Sequence, residues 1–209
     1  MLTLAFDTSG AHCAAAVLRG DTVLAERAEA MEKGQAERLI PLLEDVLTTA
    51  GLGWPDITLI AVGTGPGNFT GVRIAVAAAR GLALGLGIPA IGVTRLEALA
   101  HGLPRPLVVI EDARRAQVYV QVFADVPHPA CLMAVDALAS LGALAATGSA
   151  AAQGAGPVLP PAQPLAVAIG QIAAQRAHRA QPRPAPFYLR GPDAALPSDP
   201  MPVLLDAGP

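Results

Sequence analysis

The chain has 209 residues, of which 53% are hydrophobic, 15% charged and 3% aromatic, and 14 Lys and Arg against 17 Asp and Glu give a formal net charge of -3. That composition buries a core in one large domain or two small ones and excludes disorder, and two cysteines, Cys13 and Cys131, exclude a disulfide scaffold and point to a reducing compartment. Lys33 is the only lysine and stands in Met31-Glu32-Lys33-Gly34, which removes a P-loop, a Schiff-base enzyme and a penicillin-binding type of active site.

The first 30 residues read as three short strands, Leu2 to Asp7, His12 to Arg19 and Thr22 to Glu29. The links Thr8-Ser9-Gly10 and Gly20-Asp21 are so short that they require an antiparallel meander. Asp7 interrupts the first apolar stretch, so no secretory signal is expected and a cytoplasmic location is. Gln35 to Ala50 has helical spacing and stops at Gly51, with Pro41 predicting either a kink or a late start. Ile57 to Val62 reads as a strand, residues 63 to 71 as a glycine-rich loop, and Val72 to Leu86 as a helix. A further strand, Ala90 to Val93, leads into the capping box Thr94-Arg95-Leu96-Glu97 and a helix to His101.

Three antiparallel strands followed by alternating helices and strands predict an α/β fold, a mixed sheet flanked by helices in the ribonuclease-H-like half-domain order. We place this N-terminal lobe at 1–103 and a smaller C-terminal lobe at 104–209, divided at Gly-Leu-Pro-Arg-Pro, residues 102 to 106. Leu107 to Asp112 and Gln117 to Phe123 read as a hairpin around Arg114 and Arg115, and Asp136 as an N-cap. Residues 142 to 165 carry little periodicity, and Leu165 to Ala177 reads as a closing helix before a Pro-rich tail.

The histidines, His12, His101, His128 and His178, include no pair four apart and no CxxC exists, so no metal site is expected. The few aromatic residues argue against a stacking platform for single-stranded nucleic acid. The loop Gly63-Thr64-Gly65-Pro66-Gly67-Asn68-Phe69-Thr70-Gly71 could expose backbone N–H groups to phosphate, or could be a tight turn whose Thr70 caps the next helix. Asp7, Thr8 and Ser9 could position phosphate or magnesium, or could close their own turn. Both helices of the first lobe carry wide apolar faces that suggest a partner surface, with Leu39, Leu43, Val46, Val76 and Leu82 as candidate contacts. Residues 137 to 192 contain Arg176, Arg179, Arg183 and Arg190 but no Asp or Glu, as either a phosphate-facing patch or a solvated surface would.

Several stretches together resemble one family: Leu4-Ala5-Phe6-Asp7-Thr8-Ser9, Ala36-Glu37-Arg38-Leu39-Ile40-Pro41, the loop at 63 to 71 continuing as Val72-Arg73-Ile74, Asp112-Ala113-Arg114-Arg115, and Tyr188-Leu189-Arg190. They resemble the TsaB family of tRNA threonylcarbamoyladenosine biosynthesis proteins, over about residues 1 to 123 and again near Tyr188. The resemblance implies a two-lobed actin-like ATPase (ASKHA) fold that has lost catalysis, with no catalytic residue and no metal. Gln35 and Leu39 stand where the related TsaD, from a group long labelled glycoproteases, carries its metal-binding histidines. It implies a scaffold that heterodimerises with TsaD, which transfers a threonylcarbamoyl group to the adenosine next to the tRNA anticodon. A TsaE-like ATPase joins the complex, tRNA is met indirectly through it, no membrane is involved, and the same helices can form a homodimer. No cofactor is implied on the chain alone, whereas ATP or ADP and magnesium belong to the complex. The alternative is an ATP-binding transferase or kinase that grips nucleotide with Asp7, Thr8, Ser9, Gly65 and Gly67.

Overall fold

Two sheets organise the computed structural model, which describes residues 1–126 and 128–190. In the first, β1 (Leu2–Asp7), β2 (His12–Arg19) and β3 (Thr22–Ala30) form the antiparallel meander. β4 (Leu59–Gly63) and β5 (Ala90–Val93) then join parallel to β1, giving the order β3-β2-β1-β4-β5. The crossovers are α1 (Gln35–Thr49) and α2 (Phe69–Leu86), and α3 (Arg95–Ala100) follows β5 behind the Thr94–Glu97 capping box. The second sheet has the order β8-β7-β6-β9, from β6 (Leu107–Asp112), β7 (Gln117–Phe123), β8 (Cys131–Ala134) and β9 (Ala145–Thr147). α4 (Leu165–Arg176) is the last element among the described residues.

Alternation along β2 shows how the first sheet is covered. Cys13, Ala15 and Val17 face Leu39, Leu42, Leu43 and Val46 of α1, while Ala14, Ala16 and Leu18 face Ile169, Ile172 and Ala173 of α4. Both faces are buried, so the strand reads as an unbroken apolar run. Its small residues let helices approach closely. A Cβ added at Gly170 would stand 2.5 Å from Leu18 Cδ1 and 3.2 Å from Ala5 Cβ. Arg38 ties α1 to the edge strand β3 through Glu29, at 2.7 and 2.8 Å, and reaches Asp45 at 2.7 Å.

Several sequence expectations change here. α1 runs without interruption from Gln35 past Pro41, which sits exposed in the second turn. α2 begins at Phe69, capped by Asn68, whose Oδ1 accepts from Gly71 N at 3.0 Å, so Thr70 is the second helical residue and not the cap. Asp136 lies inside a 3-10 helix, Val135–Leu141, that has no side-chain cap. α4, assigned by sequence to the second lobe, returns to cover the first sheet. The Pro-rich tail beyond residue 190 lies outside the described residues.

The partner-contact expectation needs the largest correction. Leu39, Leu43, Val46 and Val76 are 0–3% exposed, and Leu82 is half-buried against the same core. Periodicity found the apolar faces of these helices, but those faces meet the sheet. Burial against it accounts for Val72, Ala75 and Ala79 of α2, a helix long and apolar enough to cross a membrane, but not for the apolar residues on its outer side.

Candidate functional site

The carboxyl end of β1 carries the turn Asp7-Thr8-Ser9, and the loop between β4 and α2 folds directly over it. Asn68 N donates to Ser9 O at 2.7 Å, and Thr8 Oγ1 donates to Gly71 O at 2.7 Å. Farther along the loop, Thr64 O accepts from Phe187 N at 2.8 Å and Gly65 O from Arg95 N at 2.7 Å. Gly65 has φ +88°, a conformation that a side chain would strain. The structure therefore brings together all five residues expected to grip nucleotide: Asp7, Thr8, Ser9, Gly65 and Gly67.

It also fills the space between them. Asp7 and Thr8 are fully buried and Ser9 is 1% exposed. A Cβ on Gly67 would lie 3.1 Å from the Ser9 carbonyl carbon and closer still to its oxygen. At Gly71 an added Cβ would lie 3.0 Å from the Thr8 carbonyl carbon, again closer to the oxygen. The glycines let backbone pack on backbone, so no phosphate fits between the loop and the turn at these two contacts. Calorimetry of the isolated chain with Mg-ATP is accordingly expected to give no binding heat at millimolar nucleotide; a saturable isotherm would overturn this assignment.

Asp7 instead anchors a polar network. Its Oδ1 accepts from Ser9 N at 3.0 Å and Ser9 Oγ at 2.9 Å, and His12 Nε2 lies 2.7 Å away. Arg95, the first residue of α3, places Nη1 3.7 Å from the same oxygen and donates through Nε to Glu111 of β6. Glu111 Oε1 accepts from Ser149 N at 2.6 Å. One guanidinium thus joins carboxylates from the two sheets. Burial raises the pKa of Asp7, but the His12 hydrogen bond and the positive charge of Arg95 outweigh it and hold the carboxyl below its ordinary 3.8. Glu97 is likewise lowered: burial opposes ionisation, but Arg176 Nη2, donating at 2.7 Å, and the Thr94 cap prevail. A cleft of about 420 Å³ opens beside His12 and Arg95, floored by Ala14 and Ala28 and walled by Leu99 and Leu165. Its lining includes neither Thr8, Ser9 nor the glycine loop.

The cysteines separate. Burial pushes the Cys13 thiol up to about 11, so it stays protonated and packs as a small hydrophobe, whereas Cys131 is exposed on β8. Among the described residues no group of three His, Cys, Asp or Glu side chains could hold a metal ion.

Outside this filled site, the outer ridge of α1 and α2 is open. On α1 it presents Ala36, Ile40 and Pro41, and on α2 Ala77, Gly81, Leu84 and Gly85. Leu84 is 85% exposed, and a Cβ built on Gly81 or Gly85 would meet nothing within 4 Å. The signal was present in the sequence as two glycines four apart in a long helix, but only the orientation of α2 shows that they face outward. At the head of the same helix Arg73 lies over the Phe69 ring, 3.7 Å from its centroid, and donates to Tyr188 Oη at 3.1 Å.

The family model described as TsaD, tRNA N6-adenosine threonylcarbamoyltransferase, matches residues 23–184. A tRNA threonylcarbamoyladenosine biosynthesis protein TsaB of Escherichia coli is 42% identical over 125 residues, 57% of this chain and 53% of that protein. The chain therefore spans about half the length of the curated TsaB relatives it matches. An uncharacterised Mycobacterium bovis protein is 34% identical over 202 residues, 91% of this chain and 92% of that one. Among solved structures, a Pseudomonas aeruginosa protein described as similar to peptidase YEAZ superposes with TM-score 0.73 at 26% identity, over 90% of this chain and 99% of that one. The (R)-2-hydroxyglutaryl-CoA dehydratase component A of Acidaminococcus fermentans superposes with TM-score 0.53 at 14% identity over 86% of this chain and 100% of that one, a likeness of fold.

Proposed function

Because the chain belongs to the family that the TsaD model describes, as a TsaB-family protein with the actin-like ATPase fold, we propose that it is a non-catalytic subunit in tRNA threonylcarbamoyladenosine biosynthesis. In this reading it heterodimerises with a TsaD-like catalytic protein through the outer ridge of α1 and α2. A TsaE-like ATPase completes the assembly in the cytoplasm, ATP or ADP and magnesium are bound there and not on this chain alone, and without its partner the ridge pairs two copies.

The observation that carries the proposal is the outward pair Gly81 and Gly85 beside the bare Leu84. Each glycine inside a helix costs about 1 kcal/mol relative to Ala, and no contact within the described residues requires either. Small residues let a second helix approach closely, and an exposed Leu between them supplies an anchor. The filled Asp7 turn supports the non-catalytic half of the reading over the kinase alternative.

Two charge substitutions on α2 test it. Leu84→Glu is expected to abolish co-purification with the TsaD-like protein while leaving the melting temperature nearly unchanged. Val76→Glu, two turns earlier and on the buried side of α2, is expected to unfold the chain, because a buried carboxylate without a partner is strongly unfavourable. Gly81→Ala should stabilise the isolated chain by about 0.5–1 kcal/mol and still weaken the complex. Undiminished co-purification of Leu84→Glu would sink the mapping.

A further inference from the structure

We propose that the C-terminal segment Pro184–Arg190, laid along α2, forms with it a track that binds unpaired RNA, by stacking on the outer face of Tyr188 and by arginine contacts to phosphate. The proposal rests on the tRNA-modification reading above, and deepens it by assigning the chain a direct RNA contact.

The track is defined by a succession of contacts. Arg80 Nε donates to Pro184 O at 2.7 Å, Phe187 N donates to Thr64 O, and Tyr188 stacks on Phe69 with ring centroids 4.9 Å apart. Arg190 then donates to Gln117 Oε1 and approaches Arg114 O at 3.5 Å, next to the hairpin turn. The segment thus runs from the middle of α2 to the tip of the second sheet. Six peptide steps reach at most about 20 Å, enough to follow several phosphates.

The chemistry along it is mainly cationic, with the exposed Asp112 beside Arg114 at its far end. Arg73, Arg80, Arg114 and Arg183 are exposed and Arg190 half-buried, and residues 137 to 192 contain no Asp or Glu. Apolar protein partners do not account for this charge, whereas a polyanion does. The two rings are 39% and 42% exposed, unusual for aromatic side chains with no core role, and Arg73 holds both by stacking on one and bonding the other. An exposed tyrosine ring backed by Phe69 and edged by guanidinium groups matches the way proteins hold single-stranded bases. The low aromatic content had argued against such a platform, but Phe69 and Tyr188 stand 119 positions apart and meet only in the fold. Phe69 and Arg73 lie at the head of α2, apart from the docking residues Leu84 and Gly85 at its tail, while Arg80 stands beside Ala77 and Gly81 of the docking ridge.

The test is anisotropy of a labelled, unmodified tRNA transcript titrated with the full chain, alone and with its TsaD-like partner, across a salt series. Wild type should bind with a negative slope of log affinity against log salt, and Arg73→Gln and Arg80→Gln should each reduce that slope by about 1. Tyr188→Ala should weaken binding roughly tenfold, as loss of one stacked base does, while Tyr188→Phe should retain it. All four should still co-purify with the partner, and Leu84→Glu alone should still bind RNA. Four results would overturn the proposal: no binding in either form, unchanged slopes, equal affinity for a fully paired duplex, or loss of the partner in place of RNA by Tyr188→Ala. The last would assign the surface to protein.

Discussion

Replacing Arg95 by Ala is expected to cost about 3–5 kcal/mol of stability, the penalty for leaving a buried carboxylate without its cation. The side chain stands between Asp7, which is fully buried, and Glu111, whose side chain is 8% exposed, and is itself only 16% exposed. Its removal strands the Glu111 carboxylate in β6 and leaves Asp7, at the end of β1, with only His12 and Ser9 as partners. Loss of the first sheet's link to the second should make unfolding less cooperative as well as easier. Urea denaturation followed by both far-UV dichroism and Trp54 fluorescence reads both effects. The deficit should shrink in acid. In the wild type the lowered pKa of Asp7 contributes stability above its ordinary 3.8 that is lost as pH falls through the depressed value. Without Arg95 that carboxyl protonates more readily, so the two proteins converge at low pH. The triple variant Arg95→Met, Asp7→Asn, Glu111→Gln should recover much of the loss, because neutral groups need no cation; a deficit unchanged by pH or by the triple variant would show that packing, and not charge, is responsible.

None of this network could be read from the sequence, although most elements that hold it could. β1, β2, β5, β6 and β7 fall on the residues expected from alternation and turn spacing, and the Thr94 capping box opens α3 as its pattern requires. Those are local signals. Arg95 read only as the second residue of that box, and Glu111 only as part of the strand Leu107 to Asp112, because their meeting depends on how the two sheets are set against each other. β8 and β9 were missed for a different reason: four and three residues long, they lie in stretches too short or too Ala-rich for a period to emerge. The direction of each helix face was a third gap. Leu39, Leu43 and Val46 define an apolar stripe equally well for a core and for an interface, and only the sheet beneath α1 decides between them.

The glycine loop gives the sharpest separation of these roles, through two substitutions in one helix with opposite expected signs. Gly71→Ala adds a methyl that collides with the backbone of Thr8, a neighbour that cannot rotate away as a flexible side chain could. The same residue donates its N–H to Asn68 and accepts from Thr8 Oγ1, so any shift also strains the cap and the turn. Overpacking of this kind typically costs 1–3 kcal/mol, and about 3 is expected here even after the gain of up to about 1 from helix propensity. Gly81→Ala, ten residues on, meets open space and keeps only the gain. Thermal melts of the two variants should therefore move to opposite sides of the wild type. If Gly71→Ala melts at or above the wild-type temperature, the head of α2 and the Thr8 backbone are not in contact. The size of the drop thus measures how tightly the head of α2 is packed on the Asp7 turn.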